Sequence, residues 1–341
     1  MVIKMAIRQG RYTLMLPSRP VITGSAAVVG KKEGEGPLAN EFDSVSQDDS
    51  LGEASFEKAE SAMQRDAVIR ALNKAGETPD NVDMVFAGDL LNQCIGTSFG
   101  LRGMDMPFAG LYGACSTMSL SLALSAIMTD TAAANVCIAS TSSHFCSAER
   151  QYRLPLEYGG QRTPTSQWTA TAAGAAVVSR TGSGPRATAV IFGKIQDLGI
   201  KDANNMGAAM APAAASTIKD FLSDTAGAPS DYDMILTGDL GTVGSSLLCE
   251  LLMKEANLDI SGVHSDCGIM MYDLKNQDVH AGGSGCGCSA AILCSYIMRR
   301  IREKSLKKVL FVGTGALLSP TSSLQGESIP AIAHGVVLEA D

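Results

Sequence analysis

Sliding the sequence by 150 residues lays Leu72, Pro79, Asp83, Met84, Gly88, Asp89 and Leu90 on Leu222, Pro229, Asp233, Met234, Gly238, Asp239 and Leu240. These are seven identities over residues 68–90, with similar types between them: Val68/Ile218, Val85/Ile235 and Phe86/Leu236. A second pair of anchors appears at an offset of 173, where Cys115-Ser116 falls on Cys288-Ser289, Val136 on Val309 and Thr141 on Thr314. The change of offset implies an insertion of 23 residues in the second copy. A period near 150 is far longer than the repeats of solenoid proteins, which run to roughly 50 residues. The chain therefore reads as two similar halves, 1–182 and 183–341, packed about a pseudo-twofold axis as one compact body. Departures from that symmetry are the places to look for function.

Each half alternates strand and helix. In the first, Val21-Ile22 is a strand, 20–52 then runs polar and Gly-rich, and 55–75 carries helix-spaced apolar residues stopping at Gly76. Strands follow at 84–87 and 136–140, a helix at 116–131, and a closing strand at 173–179. The stretch 150–167, rich in Pro, Gly and Arg, reads as a long loop, which in a compact domain points to function. The second half repeats the order, with strands at 190–191, 234–237 and 309–313 and helices at 213–223, 245–256 and 290–303. Alternation of this kind predicts a layered α/β fold.

Charged residues make up 18% of the 341, and the formal net charge is −8. Nucleic acid, which demands a basic surface, is excluded as a partner, and an anionic ligand must be met by local donors. Nine scattered cysteines show no paired C-x-x-C spacing, so no zinc site is predicted. Lys4 and Arg8 are followed by Gln9-Gly10-Arg11 without an apolar core, so no secretory signal is expected and the thiols should be free. No apolar run approaches the 18 or so residues of a membrane span.

Cys115 is the sharpest candidate. It follows Gly113-Ala114 at the head of an apolar helix, where exposed N–H groups and the helix dipole lower a thiol pKa and bind anions. The competing reading is a small buried hydrophobe. The segment Ser142–Arg150 follows a buried strand at its C-terminal end, where open α/β sheets place ligands. Within it, Ser143, His144, Glu149 and Arg150 are candidates, with Arg153 close behind; Arg150 and Arg153 can grip a carboxylate bidentately. Alternatively Glu149 and Arg150 pair with each other and His144 merely packs. Asp89 and Asn92 end another strand, although the presence of Asp239 at the matching position argues partly for a capping role. Gly285 and Cys286, in a Gly-rich run, and His334 near the C-terminus complete the set. His264 and His280 sit in polar stretches and read as surface residues.

The stretches AGDLLNQ (87–93), GACST (113–117), TSSH (141–144), AERQYR (148–153), EYGGQ (157–161), LTGDL (236–240), AGGSGC (281–286), TGALLSPT (314–321) and IAHGVV (332–337) run in order along nearly the whole chain. With the duplication and the helix-opening Cys, the sequence resembles the thiolase superfamily and, within it, the stage V sporulation protein AD family of endospore-forming bacteria. The resemblance implies a thiolase-like fold of αβαβα layers. It also implies binding of dipicolinic acid (pyridine-2,6-dicarboxylic acid), and work with membrane proteins of the same group to move that acid into the developing spore. A homodimer is expected, cytoplasmic and held at the forespore inner membrane through partners.

Condensing enzymes of the synthase III type pair their Cys with a His and an Asn that stabilise oxyanions. Here the matching positions read Thr237-Gly238-Asp239-Leu240 and Gly285-Cys286. A synthase reaction is therefore not expected, and no cofactor is implied. A thiolase-type trio of Cys115, Cys286 or Cys288, and His334 stays open, as does a scaffold with a vestigial pocket. If Asp89 and Glu149 line the pocket, the expected ligand is the calcium chelate, with a carboxylate completing an oxygen-rich shell.

Overall fold

The structure, a computed structural model, describes residues 6–152 and 162–341. Arg153 and the loop residues 153–161 lie outside the described residues.

The main path of the sheet in the first half runs through β1 (Val21–Val29), β2 (Met84–Gly88), β3 (Phe108–Gly110), β4 (Val136–Ser143) and β5 (Ala172–Ser179), in the order β1-β5-β4-β2-β3. The second half repeats it with β6 (Arg186–Phe192), β7 (Met234–Thr237), β8 (His264–Asp266), β9 (Lys308–Ala316) and β10 (Ala331–Glu339), in the order β6-β10-β9-β7-β8. Directions repeat as well. β2 is parallel to β4 and β3, and β7 to β9 and β8, while β5 and β10 run antiparallel to both neighbours. The two sheets touch where Val21 pairs with Arg186.

The helices fall into three layers. Phe56–Ala75 (α1) covers the outer face of the first sheet. Thr117–Asp130 (α2) lies between the sheets, its Met118, Leu122 and Ala126 sharing one core with Ala176 and Val178 on one side and Phe311 and Val336 on the other. Phe145–Tyr152 (α3) leaves the end of β4. Met206–Thr225 (α4) and Gly241–Ala256 (α5) cover the second sheet, and Cys286–Ile292 (α6) continues through a π-helical stretch, Leu293–Ile297, to Arg302 beside α2 in the middle. Along β5, Ala173, Ala175 and Val177 face α1 while Ala172, Ala176 and Val178 face the middle layer, the period of two that a doubly covered strand requires.

The 150-residue offset is visible in detail. α1 and α4 are each 20 residues long, and both end on a left-handed cap, Gly76 at φ 70° and Ala226 at φ 50°. Asp83 accepts from Asn135 N and Val136 N, and its mate Asp233 accepts from Lys307 N and Lys308 N, so the same side chain clips the same two strands together in each half. Met84 pairs with Cys137 and Met234 with Val309, which makes the equivalence there 172 residues and corrects the 173 read from the sequence.

Other expectations need correction. β1 runs on through Gly24-Ser25-Ala26-Ala27 to Val29, because small residues let α1 press close: a Cβ on Gly24 would stand 2.2 Å from Ala71 O. α4 starts seven residues earlier than read and carries Pro212 inside it. Residues 150–152, read as loop, belong to α3. His264 is half-buried on β8, where it meets Thr237 Oγ1 at 2.9 Å, and His280 is half-buried beside Asp278.

Candidate functional site

The turn that presents Cys115 is tied at every residue. Ala114 takes a left-handed φ of 50°, a conformation unfavourable for a side-chain-bearing residue. It is held there by Ser116 Oγ donating to Gly113 O (2.6 Å), Thr117 Oγ1 donating to Ala114 O (2.6 Å) and Gly113 N donating to Thr117 Oγ1 (3.0 Å). The thiol is thereby aimed at the floor of a narrow cleft.

The walls come from both halves. Leu90 follows β2, and Ala148, Glu149 and Tyr152 project from α3. Thr169 and Ser284 come from a two-stranded pairing of Trp168–Thr169 with Gly283–Ser284. Met206, from the first turn of α4, and Leu318 close the second-half side. At the mouth, Tyr112 and Tyr152 share a hydrogen bond of 2.7 Å between hydroxyls, and Tyr152 also donates to Leu90 O. Among the described residues no Lys or Arg lines this cleft; its ionisable walls are Glu149, the two tyrosines and the thiol.

Asp239 stands behind the thiol. Fully buried, it accepts from Ser284 Oγ (3.0 Å), Gly285 N (2.8 Å) and Thr314 Oγ1 (2.8 Å), and Ser284 Oγ lies 3.9 Å from Cys115 Sγ. Burial pushes the Cys115 thiol well above its ordinary pKa, and the Asp239 carboxylate adds to that. The helix-start lowering expected from sequence is outweighed: loss of water and a facing carboxylate both oppose the thiolate. Asp239 is itself raised by burial, against the pull of its donors.

The structure brings four of the sequence candidates together here. Cys115 and Glu149 line the cleft, Gly285 N reaches Asp239, and Cys286 packs against Cys115 with its thiol donating to Ser142 O at 3.0 Å. Gly285 has φ 102°, and a Cβ there would stand 2.7 Å from Ser143 Oγ, so any side chain is strained and meets that hydroxyl.

The remaining candidates have other partners. Ser143 Oγ donates to Ala170 O and accepts from Gly287 N, which fastens β4 to α6. His144 is buried against Phe56, with Nε2 at 2.7 Å from Asp49 O. Arg150, expected at the ligand, is exposed and ion-paired with Glu57, and the alternative pair with Glu149 is not the one it makes either. Asn92 is exposed, its backbone N donating to Gln151 Oε1. His334 lies edge-on to Phe192, accepts from Gly193 N at Nδ1 and is held neutral by burial, down to about 4. Cys288 sits under Gly283 and Tyr272. His334 and Cys288 do not line the cleft, so Cys286 alone of the open thiolase trio keeps company with Cys115.

Asp89 is fully used by its own loop, accepting from Leu91 N (2.8 Å), Thr97 N (2.7 Å) and Thr97 Oγ1 (2.6 Å). Behind it lies Glu60, pushed up to about 8 by burial and by the Asp89 charge. Proton geometry agrees. Ser142 Oγ is 3.1 Å from Glu60 Oε1 and 3.2 Å from Gln64 Oε1, and its one proton cannot serve both. A protonated Glu60 donating to Ser142 resolves the conflict. Asp239, Ser284 and Glu60 were passed over in the sequence; for Asp239 the signal was present, as the mate of Asp89, but pointed to a turn.

Known proteins place this arrangement. The sequence model of stage V sporulation protein AD matches residues 10–339. The stage V sporulation protein AD of Bacillus subtilis (strain 168) is 43% identical over 330 residues, covering 97% of each chain. Among solved structures, the 3-oxoacyl-[acyl-carrier-protein] synthase III of Aquifex aeolicus VF5 superposes with a TM-score of 0.55 at 11% identity, covering 94% of this chain and 99% of that one. Human mitochondrial 3-ketoacyl-CoA thiolase, solved in complex with CoA, gives 0.55 at 12% identity over 99% of each. At such identities the structural likeness carries the fold, which is thiolase-like. On the match over nearly its whole length, the chain belongs to the stage V sporulation protein AD family.

Proposed function

We propose that this protein binds dipicolinic acid in the Cys115 cleft without chemical turnover, as the small-molecule-binding component of the sporulation machinery that moves the acid into the developing spore. The observation that carries the non-catalytic part is the pairing of Cys115 with Asp239. A nucleophilic thiol needs its anion stabilised; a buried carboxylate facing it repels that anion instead. The ligand is the one family membership implies. A narrow cleft walled by Leu90, Met206 and two tyrosines suits a planar ring, and Ser284 and Thr169 offer hydroxyls to its carboxylates.

Among the described residues no three His, Cys, Asp or Glu side chains are grouped to hold a metal ion, so calcium enters this reading only as part of the ligand. No described helix is long and apolar enough to cross a membrane, and attachment at the forespore membrane is assigned to membrane-protein partners. A homodimer is part of the proposal. β3 is the open edge of the first sheet, with Phe108 and nearby Phe99 and Ile95 exposed, a surface suited to a second copy.

Calorimetric titration with dipicolinic acid, with and without calcium, tests this reading. Saturable binding near micromolar, about −8 kcal/mol, weakened by bulk at the cleft floor (Cys115→Trp), is expected. Absence of binding, or acylation and turnover with an acyl thioester, would overturn it.

A further inference from the structure

Asp89 and Asp239 hold the same place in the two copies, yet their oxygens are used differently. Asp89 satisfies the backbone of the loop that follows it, through Leu91 N and Thr97 N. In the second half another residue does that work: Asp266, on β8, accepts from Leu240 N (2.8 Å) and Gly241 N (3.0 Å), besides capping its own short helix through Ile269 N (3.2 Å). With its loop held by Asp266, Asp239 turns to Ser284, Gly285 and Thr314 at the cleft floor.

This leaves a difficulty for dipicolinate bound without calcium, which is a dianion. Asp239 is buried behind Ser284 at the floor, and no Lys or Arg is among the described lining residues. A buried dianion beside an ionised carboxylate is strongly disfavoured. The ionisable groups that feel the Asp239 charge are Cys115, Asp266, Cys267, Cys286 and Cys288, all acids, so none of them can neutralise it.

Resting on the dipicolinate reading, we infer that Asp239 takes up a proton from solvent when the anion binds, and that this proton reverses the hydroxyl of Ser284. With Asp239 ionised, Ser284 Oγ donates to Asp239 Oδ2, and the lone pairs of the hydroxyl face the cleft. With Asp239 protonated, the acid donates to Ser284 Oγ, whose own proton is released to point into the cleft at a ligand oxygen. One proton thus removes a repulsion and creates a donor. Burial already raises Asp239 towards protonation, which lowers the cost of the step. Asp239 and Ser284 are positioning and specificity residues: affinity belongs to ligands that are anionic at the Ser284 side.

The sign follows from linkage. Binding raises the Asp239 pKa, so affinity is full below the free-protein value and falls as pH rises from there to the bound-state value, by up to about tenfold per pH unit. The test is calorimetry with dipicolinate, whose carboxylates are both ionised from about pH 6.5 to 8.5, in buffers of different ionisation enthalpy. Uptake approaching one proton and an affinity falling with pH are expected. Asp239→Asn should bind with no proton uptake and an affinity constant within about twofold across that range; Ser284→Ala should lose most of the low-pH gain while keeping its fold. Proton uptake that persists in Asp239→Asn but vanishes in Glu149→Gln, or binding without proton exchange in the unmodified protein, overturns this inference alone. No saturable binding at any pH overturns the dipicolinate reading with it.

Discussion

The carboxylate of Asp239 is turned towards the thiol of Cys115, with Ser284 Oγ bridging them at 3.0 Å from the one and 3.9 Å from the other. Thiol reactivity scales with the thiolate fraction, which burial and a nearby negative charge both depress. Cys115 is therefore expected to alkylate with iodoacetamide at pH 7.5 at least about tenfold more slowly than an unperturbed thiol, and faster in Asp239→Asn. Peptide-resolved mass spectrometry reads both rates. Preferential labelling of Cys115 in the unmodified protein would contradict the assignment of its protonation state.

Glu60 is held protonated in the fold, near 8 against an ordinary value of 4.5. A carboxyl raised on folding contributes stability that is complete below its unfolded pKa and is lost as pH rises through the folded one. Between about pH 4.5 and 8 the Glu60 contribution should decline. Urea midpoints for Glu60→Gln, which keeps the hydrogen bonds to Ser142 and Ser147 within reach, should fall less with rising pH than those of the parent. Parallel curves would show that Glu60 does not carry the slope.

At Gly285 the backbone angle of 102° and the 2.7 Å approach to Ser143 Oγ make any side chain costly. Gly285→Asn is expected to destabilise by about 2–4 kcal/mol through strain and overpacking. Ser143→Ala in the same chain should recover part of that loss, since the hydroxyl is the atom in the way. Thermal melts of the two single variants and the double one measure the coupling.

Arg150 is exposed and occupied by Glu57. Arg150→Ala should change stability by less than about 1 kcal/mol and leave dipicolinate affinity within about twofold. A large loss of affinity would place Arg150 at the ligand.

Phe108 lies on the open strand of the first sheet and is 41% exposed. A charge on such an edge opposes strand pairing. Phe108→Lys should shift a homodimer towards monomer in sedimentation velocity, with circular dichroism unchanged; a monomer before substitution would refute the dimer.

The architecture was legible because the two copies of Leu72 to Leu90 repeat a helix, its cap and a strand at one spacing, and the structure shows α1 and α4 at that spacing. Boundaries were lost where small residues replaced the usual apolar period: Gly24 to Ala27 in β1, and Gly207 to Pro212 in α4. The site was less legible. Cys115 stood out through the Gly-Ala turn before an apolar helix, but the difference between Asp89 and Asp239 is written at Asp266, 27 residues away, through the N–H groups of Leu240 and Gly241, which a linear pattern does not reveal. His144 and His334 attracted notice as imidazoles, and the structure gives both of them to backbone partners instead.

The helix Thr117–Asp130 is roofed by one sheet and floored by the other, and Met118 and Leu122 are completely buried between them. A chain of half this length would turn that helix out to water on one side. Two such chains placed back to back would cover each other, each lending the roof the other lacks. Carrying both copies in one chain is what lets Asp89 and Asp239, at matching positions, serve different partners.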